Sequence, residues 1–179
     1  MSVSWARRCV QETGSGLVAS VAVVENDTLL AEYTVNYKKT HSQTLLPMLD
    51  EISNMTELDL STIDAIAVAG GPGSFTGLRI GSATAKGLGL ALEKPLISIP
   101  TTAAIAYNIW DTNKFVCPIM DARRNQVYTG VYCYTDHRLD TVWEQDTMSI
   151  EALAEGLNCL DHEVIFLGDG AVSYTHLTL

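Results

Sequence analysis

Residues 64–81, Asp-Ala-Ile-Ala-Val-Ala-Gly-Gly-Pro-Gly-Ser-Phe-Thr-Gly-Leu-Arg-Ile-Gly, pass from an apolar run through a glycine-rich turn into a helical pattern. The run Ala65 to Ala69 reads as a buried strand. Gly70 to Gly73 break it, and a helix is expected from about Ser74 to Leu92. Strand, glycine turn and helix in this order aim backbone N–H groups at an anion, because a helix N-terminus carries unpaired donors and a positive dipole end. The stretch is therefore either a phosphate loop or a tight turn.

Motif comparisons narrow the choice. A Walker A loop needs Gly-x-x-x-x-Gly-Lys-Ser/Thr, with the lysine on the outer phosphates. Here Leu78 follows Gly77, and the next lysine is Lys86. A Rossmann fingerprint needs G-x-G-x-x-G, but Gly71, Gly73 and Gly77 are spaced one residue too far. Ser74 also lacks the flanking glycines of a G-x-S-x-G nucleophile elbow. Local chemistry favours a turn with Ser74 capping the helix. The alternative keeps Gly71, Gly73, Ser74 and Thr76 as a vestigial phosphate site.

The helix after the turn has two small-residue stripes. Gly77, Gly81, Ala85 and Gly89 repeat every four residues, and Ala83, Gly87 and Ala91 lie beside them. Each interior glycine costs about 1 kcal/mol against alanine, so Gly77, Gly81, Gly87 and Gly89 together cost roughly 4 kcal/mol. Close approach of another backbone would offset that. A smooth face can pack on the parent sheet or dock a helix of a partner subunit, and with two smooth faces both readings are compatible. Arg79, Lys86, Glu93 and Lys94 interrupt the segment and exclude a membrane span.

The net charge of −10 disfavours direct binding to a nucleic-acid backbone, since phosphate neutralisation supplies most of that affinity. The basic pairs Arg7-Arg8, Lys38-Lys39 and Arg123-Arg124 are separate and build no patch. Hydrophobic residues make up 47% of the 179, enough for a substantial core. The first dozen residues carry no apolar signal region. Cys9, Cys117, Cys133 and Cys159 are far apart with no CxxC, as expected of reduced thiols in a cytoplasmic chain.

Along the chain, Leu17 to Val24 and Leu29 to Val35 read as a hairpin around Glu25-Asn26-Asp27. Residues 1–12 are ambiguous, because Arg7 and Arg8 would charge both faces of a strand. Thr40-His-Ser-Gln43 has capping-box form, with His41 at the helix surface. Leu45, Leu46, Leu49 and Ile52 then form one apolar face. Pro47 is expected inside this helix, kinking it. Leu96 to Ile99 is a further strand, implying a parallel, right-handed crossover. A helix is expected from Thr102 to Trp110. Strands are expected at Phe115 to Met120, Gln126 to Tyr134 and, weakly, Leu139 to Trp143. A helix capped by Ser149 runs through Leu157, and a last strand spans Val164 to Leu167. Asp121, Arg123 and Arg124 form a charged turn, solvated or else making a structural ion pair or a contact to a third subunit. Tyr128, Tyr132 and Tyr134 share one strand face and suit packing better than base stacking. The order implies an α/β fold with a boundary near Ile99 to Thr102.

Three segments carry a resemblance: Thr40-His-Ser-Gln-Thr-Leu-Leu-Pro47, Gly70 to Gly81, and Asp121-Ala-Arg-Arg-Asn-Gln-Val-Tyr128. Together they resemble the TsaB (YeaZ) family, whose members are needed to install threonylcarbamoyl on an adenosine of tRNA. The resemblance runs from about Glu12 to Ala171. It implies an actin/Hsp70-like (ASKHA) fold with two lobes of RNase H-like topology. Residues 1–100 would form the first lobe and 101–179 a partial second lobe. Family chains continue past the strand near Val164 with helices, so the second lobe is expected to be truncated. The family's apolar first strand corresponds to Cys9-Val-Gln-Glu-Thr-Gly14, here preceded by charges.

The resemblance also implies a pseudo-enzyme: a non-catalytic subunit supporting a TsaD-like catalytic subunit. TsaD-like chains carry an H-x-x-x-H metal pair after the strand equivalent to Leu96–Ile99. This chain has Pro100-Thr-Thr-Ala-Ala-Ile105 there, and its four histidines are widely separated, so no metal is expected. No tightly bound cofactor is expected either, with ATP used by the partner complex. Implied partners are a TsaD-like subunit and a TsaE-like ATPase, with tRNA reached only through the complex and no membrane. A homodimer through the same helices is equally compatible with a smooth stripe. The expected interface residues are His41, Leu45, Leu49, Gly77, Arg79, Gly81, Ala85 and Gly89. Competing readings are an ATPase-type nucleotide-binding enzyme and an M22-type peptidase.

Overall fold

The computed structural model describes residues 8–13, 18–36 and 44–173. His41 and the capping box Thr40–Gln43 lie outside them. The chain divides into two compact units, with the division between Ile99 and Pro100.

In the first unit, β1 (Arg8–Thr13), β2 (Ala19–Glu25), β3 (Thr28–Val35), β4 (Ala65–Gly71) and β5 (Leu96–Pro100) form one sheet in the order β3-β2-β1-β4-β5. β1, ambiguous in sequence, is the central strand. It pairs antiparallel with β2 and parallel with β4. Its place between two strands satisfies its backbone on both sides, which overrides weak local patterning. Asn26 and Asp27, both at positive φ, close the β2–β3 hairpin. That is the two-residue turn whose twist matches the strands it joins.

Helices α1 (Leu45–Met55) and α2 (Phe75–Leu92) contact each other and share one core with the sheet. Leu45, Met48, Leu49 and Ile52 of α1 are buried there, the i, i+3, i+4, i+7 face of an amphipathic helix. Two expectations change. Leu46 is 51% exposed, because it falls outside that face and Met48 takes the inward position. Pro47 does not kink α1: the helix begins at Leu45 after Thr44, so Pro47 sits in the first turn, where an N–H has no intrahelical partner.

In the second unit, β6 (Phe115–Arg123), β7 (Gln126–Thr135), β8 (Arg138–Ser149) and β9 (Val164–Leu167) form a sheet in the order β8-β7-β6-β9. α4 (Ile150–Asn158) packs on one face with Cys117, Ile119, Val127 and Val131. α3 (Thr101–Ala106) packs on the other with Val116 and Tyr132. α5 (Asp169–Ser173) follows β9.

Three elements differ from expectation. α3 ends at Ala106 rather than Trp110; Asn108 and Ile109 make tight bonds back to Ile105 and Ala106, and the Asn108 side chain bonds the Ile105 carbonyl. Asparagine side chains compete in this way with helical backbone bonds. β8 has 12 residues, far beyond Leu139–Trp143, because its polar stretch pairs along the whole of β7. On β7, Tyr132 and Tyr134 join the α3-side core, and Tyr128, nearer the β6–β7 hairpin, is not part of that cluster.

The two units share the topology of their first four strands. β6 pairs antiparallel with β7 and parallel with β9, as β1 does with β2 and β4. In each unit a helix leads into the strand that pairs parallel with the first: α1 before β4, α4 before β9. No helix among the described residues is long and apolar enough to cross a membrane.

Candidate functional site

The glycine turn joins β4 to α2. β4 extends to Gly71, two residues further than its apolar run, and Gly71 is buried at φ +101°. Few side-chain-bearing residues adopt that conformation. At Gly70 an added Cβ would strike Ser98 Oγ of β5. Ser74 is the N-cap of α2, accepting the Gly77 N–H at 3.4 Å. Gly73, Ser74 and Thr76 therefore surround a capped helix start, and Ser74 and Thr76 are exposed. Lys86 lies nearly three turns along α2, on its exposed side.

The second unit has a corresponding loop. Gly168, at φ +100°, follows β9 as Gly71 ends β4. Cβ atoms at Gly168 and Gly170 would both collide with Ile119 of β6. Asp169 Oδ1 accepts the Gly170 N–H at 2.9 Å and the Asp121 N–H at 3.4 Å. Asp121 Oδ1 in turn accepts the Arg123 N–H at 2.7 Å. This holds Arg123, Arg124 and Asn125 at positive φ in the β6–β7 hairpin, with both arginines exposed. Residue spacing did not reveal the pairing, because Gly70-Gly-Pro-Gly73 and Gly168-Asp-Gly170 share only their place after a strand.

The interface residues expected from sequence separate into two sets. Gly77, Gly81, Ala85 and Gly89 are buried, with Gly89 against Leu96 and the Lys94 carbonyl. This stripe packs on its own sheet. Leu45 and Leu49 are core residues at 1% and 3% exposure. A partner cannot reach either set directly. Arg79 is exposed, with its guanidinium 5.3 Å from the Phe75 ring.

The outward face of α2 is formed instead by Phe75, Arg79, Ala83, Lys86, Gly87 and Leu90. Leu90 is 84% and Phe75 73% exposed, and nothing lies within 4 Å of a Cβ built at Gly87. On the neighbouring α1, Leu46, Asp50, Glu51, Asn54 and Met55 face outward. The second small stripe, Ala83, Gly87 and Ala91, lies among the charged positions of the exposed side.

Burial pushes the Cys117 thiol up to about 11, so it is protonated at neutral pH. His137 Nδ1 is 2.6 Å from Asp111 Oδ2 at the surface, and His162 Nε2 is 3.2 Å from the Asn113 carbonyl. No three metal-ligating side chains converge among the described residues.

Two consecutive units of ribonuclease H-like topology, each with a glycine turn after its fourth strand, define the actin/Hsp70-like class of fold. The family model of TsaD, tRNA N6-adenosine threonylcarbamoyltransferase, matches residues 28–173. The chain is 35% identical to the tRNA threonylcarbamoyladenosine biosynthesis protein TsaB of Bacillus subtilis, over 86% of this chain and 67% of that protein. It is 32% identical to the Escherichia coli protein of that name, over 84% and 66%. A Pseudomonas aeruginosa crystal structure, described as similar to peptidase YEAZ, superposes with a TM-score of 0.83 at 27% identity, covering 94% of this chain and 78% of that one. The chain belongs to the TsaB (YeaZ) family. It spans about two thirds of the length of these two curated relatives.

Proposed function

We propose that this chain is a non-catalytic subunit in tRNA threonylcarbamoyladenosine biosynthesis. It docks a TsaD-like catalytic subunit through the outer face of α1 and α2. The carrying observation is the uncovered α2 face, where Leu90 is 84% exposed and Gly87 touches nothing outside its helix. A glycine in a helix interior costs about 1 kcal/mol, and nothing among the described residues offsets it there. A partner backbone approaching at Gly87 would. Family membership supports the pathway, and the likeness to the transferase family is compatible with pairing to a subunit of that class.

In this reading the glycine turn after β4 is a structural hinge between strand and helix. ATP is handled by the complex, tRNA is engaged only through it, and Arg123 and Arg124 remain available to a third subunit such as a TsaE-like ATPase. The test is co-expression with the threonylcarbamoyltransferase subunit of the same genome, followed by size-exclusion chromatography. Wild-type chain should co-elute with it, and Leu90→Glu combined with Ala83→Glu should abolish co-elution while leaving the thermal transition in place. Retained co-elution would overturn the docking surface. Micromolar binding of ATP to the isolated chain in calorimetry would favour a nucleotide-binding enzyme instead.

A further inference from the structure

We propose that the second unit carries a binding site for a guanidinium group, built from the rings of Tyr107, Trp110 and Tyr134 and the carboxylate of Asp111. The group it takes is an arginine side chain of another protein chain. Tyr107 and Trp110 follow α3 and are 52% and 60% exposed. Their rings stack, with centroids 6.3 Å apart and planes inclined by 24°. Both meet the Tyr134 ring edge-on, at 6.3 Å and 5.4 Å. A single exposed aromatic is ordinary surface. Three joined into one platform, two of them open to solvent, form a surface that suits a ligand.

Charge decides which ligand. The faces of the rings are electron-rich, and their surroundings are acidic. Asp111 directly follows Trp110, and its Oδ2 lies 2.6 Å from His137 Nδ1. Asp136 is exposed in the adjoining β7–β8 turn. Tyr134 Oη is enclosed and has no hydrogen-bond partner among the described residues, although a buried phenol ordinarily finds one. Burial, and after it the nearby Tyr107 phenol and Asp111 carboxylate, hold that hydroxyl above the usual phenol range. Positive charge is therefore favoured here.

The described residues do not supply it on this platform. Tyr134 stands opposite Leu139 and both join the α3-side core, whereas Arg138 stands opposite Thr135 and leaves by the other face of the pleat. Among the described residues, the cation–π pair is Arg79 over Phe75, in the first unit. A guanidinium fits better than an ammonium: it is planar and weakly hydrated, stacks on aromatic faces, and directs its N–H groups to a carboxylate at the rim. A nucleic-acid backbone would instead meet like charge at Asp111 and Asp136. The site is separate from the α1–α2 face and does not depend on how that face is read.

The probe is N-acetyl-arginine amide, titrated into the isotopically labelled full chain and followed at Trp110 Nε1–H by NMR. Trp143, which packs against Gly156, is the internal reference. The Trp110 resonance should shift saturably while that of Trp143 stays in place. N-acetyl-citrulline amide has the same shape without the charge and should bind about fivefold more weakly. Tyr107→Ala should weaken arginine binding by about fivefold, and Asp111→Asn by about threefold. An unmoved Trp143 resonance shows that each variant is folded. An unmoved Trp110 resonance, or equal binding of arginine and citrulline, would overturn the site. Equal binding of N-acetyl-lysine amide would overturn the guanidinium assignment. Without any probe, a Trp110 resonance that moves with the concentration of the chain itself would assign the platform to a second copy and overturn the arginine of another protein as its occupant.

Discussion

Gly89 of α2 lies so close to Leu96 of β5 that a Cβ on Gly89 would sit 2.9 Å from Leu96 Cδ2 and 3.1 Å from the Lys94 carbonyl oxygen. Gly77, Gly81 and Ala85, earlier on the same stripe, are buried as Gly89 is. Gly87, two positions away, meets nothing. Substituting alanine should therefore have opposite effects. Gly89→Ala should destabilise the chain by about 1–2 kcal/mol, since overpacking against backbone outweighs the gain in helix propensity. Gly87→Ala should stabilise it by about 0.5–1 kcal/mol. Thermal or urea denaturation of the two variants checks both signs.

Leu49 and Leu46 lie on the same helix and differ in environment. Leu49 is 3% exposed in the first unit's core, and Leu46 is 51% exposed. Leu49→Ala should lose about 2–5 kcal/mol, as expected for a buried leucine truncated to leave a cavity. Leu46→Ala should stay within about 0.5 kcal/mol of wild type. Equal effects in denaturant titration would contradict the assignment of the buried face.

In the second unit, Thr102 Oγ1 and Tyr132 Oη are 2.7 Å apart, and Thr102 Oγ1 is 2.9 Å from Gln145 Oε1. The threonine hydroxyl donates to the amide oxygen and accepts from the phenol. Tyr132→Phe removes one bond and should cost about 1 kcal/mol. Thr102→Val leaves both the phenol and the amide oxygen without this partner and should cost about 2–3 kcal/mol. The order of the two losses, measured by chemical denaturation, is the test.

Cys117 links stability to alkaline pH. Burial raises its thiol from 9.0 to about 11, with a smaller opposing effect of the bond to Thr129. The neutral thiol is favoured in the folded state, so its contribution is fully present below pH 9. It is lost as pH rises toward about 11, because the unfolded thiol ionises first. The contribution is on the order of 2–3 kcal/mol. Burial raises Tyr132 in the same direction, extending the loss above pH 10. Cys117→Ala should remove the part of the decline that begins at pH 9, read from urea midpoints between pH 8 and 11.

Local signals were readable where one segment carries its own chemistry. Ser74 and Ser149 precede apolar periodic runs, and both cap helices, accepting the N–H groups of Gly77 and Ala152. The Asn26-Asp27 turn closes its hairpin through residues that tolerate positive φ. The long β8 was less readable, because Glu144 to Thr147 has little strand propensity and is held by pairing with β7. The chemistry of the glycine turn was legible only as a set of missing groups. The equivalence of Gly71 and Gly168 emerged from topology alone.

The sequence by itself determined the alternation of strands and helices, the glycine turn after the fourth strand, the capped helix starts and the family. These depend on residues near one another in the chain, through periodicity, capping and turn conformation. Only the tertiary structure decided which small stripe of α2 faces the sheet, that Met48 rather than Leu46 turns inward on α1, and that the two units share the topology of their first four strands. Periodicity shows that a helix has a smooth face but not what covers it. Gly77-Gly81-Ala85-Gly89 and Ala83-Gly87-Ala91 look alike until one meets β4 and β5 and the other meets solvent. Burial of apolar surface is non-directional, so the choice between them is made by the strands already in place.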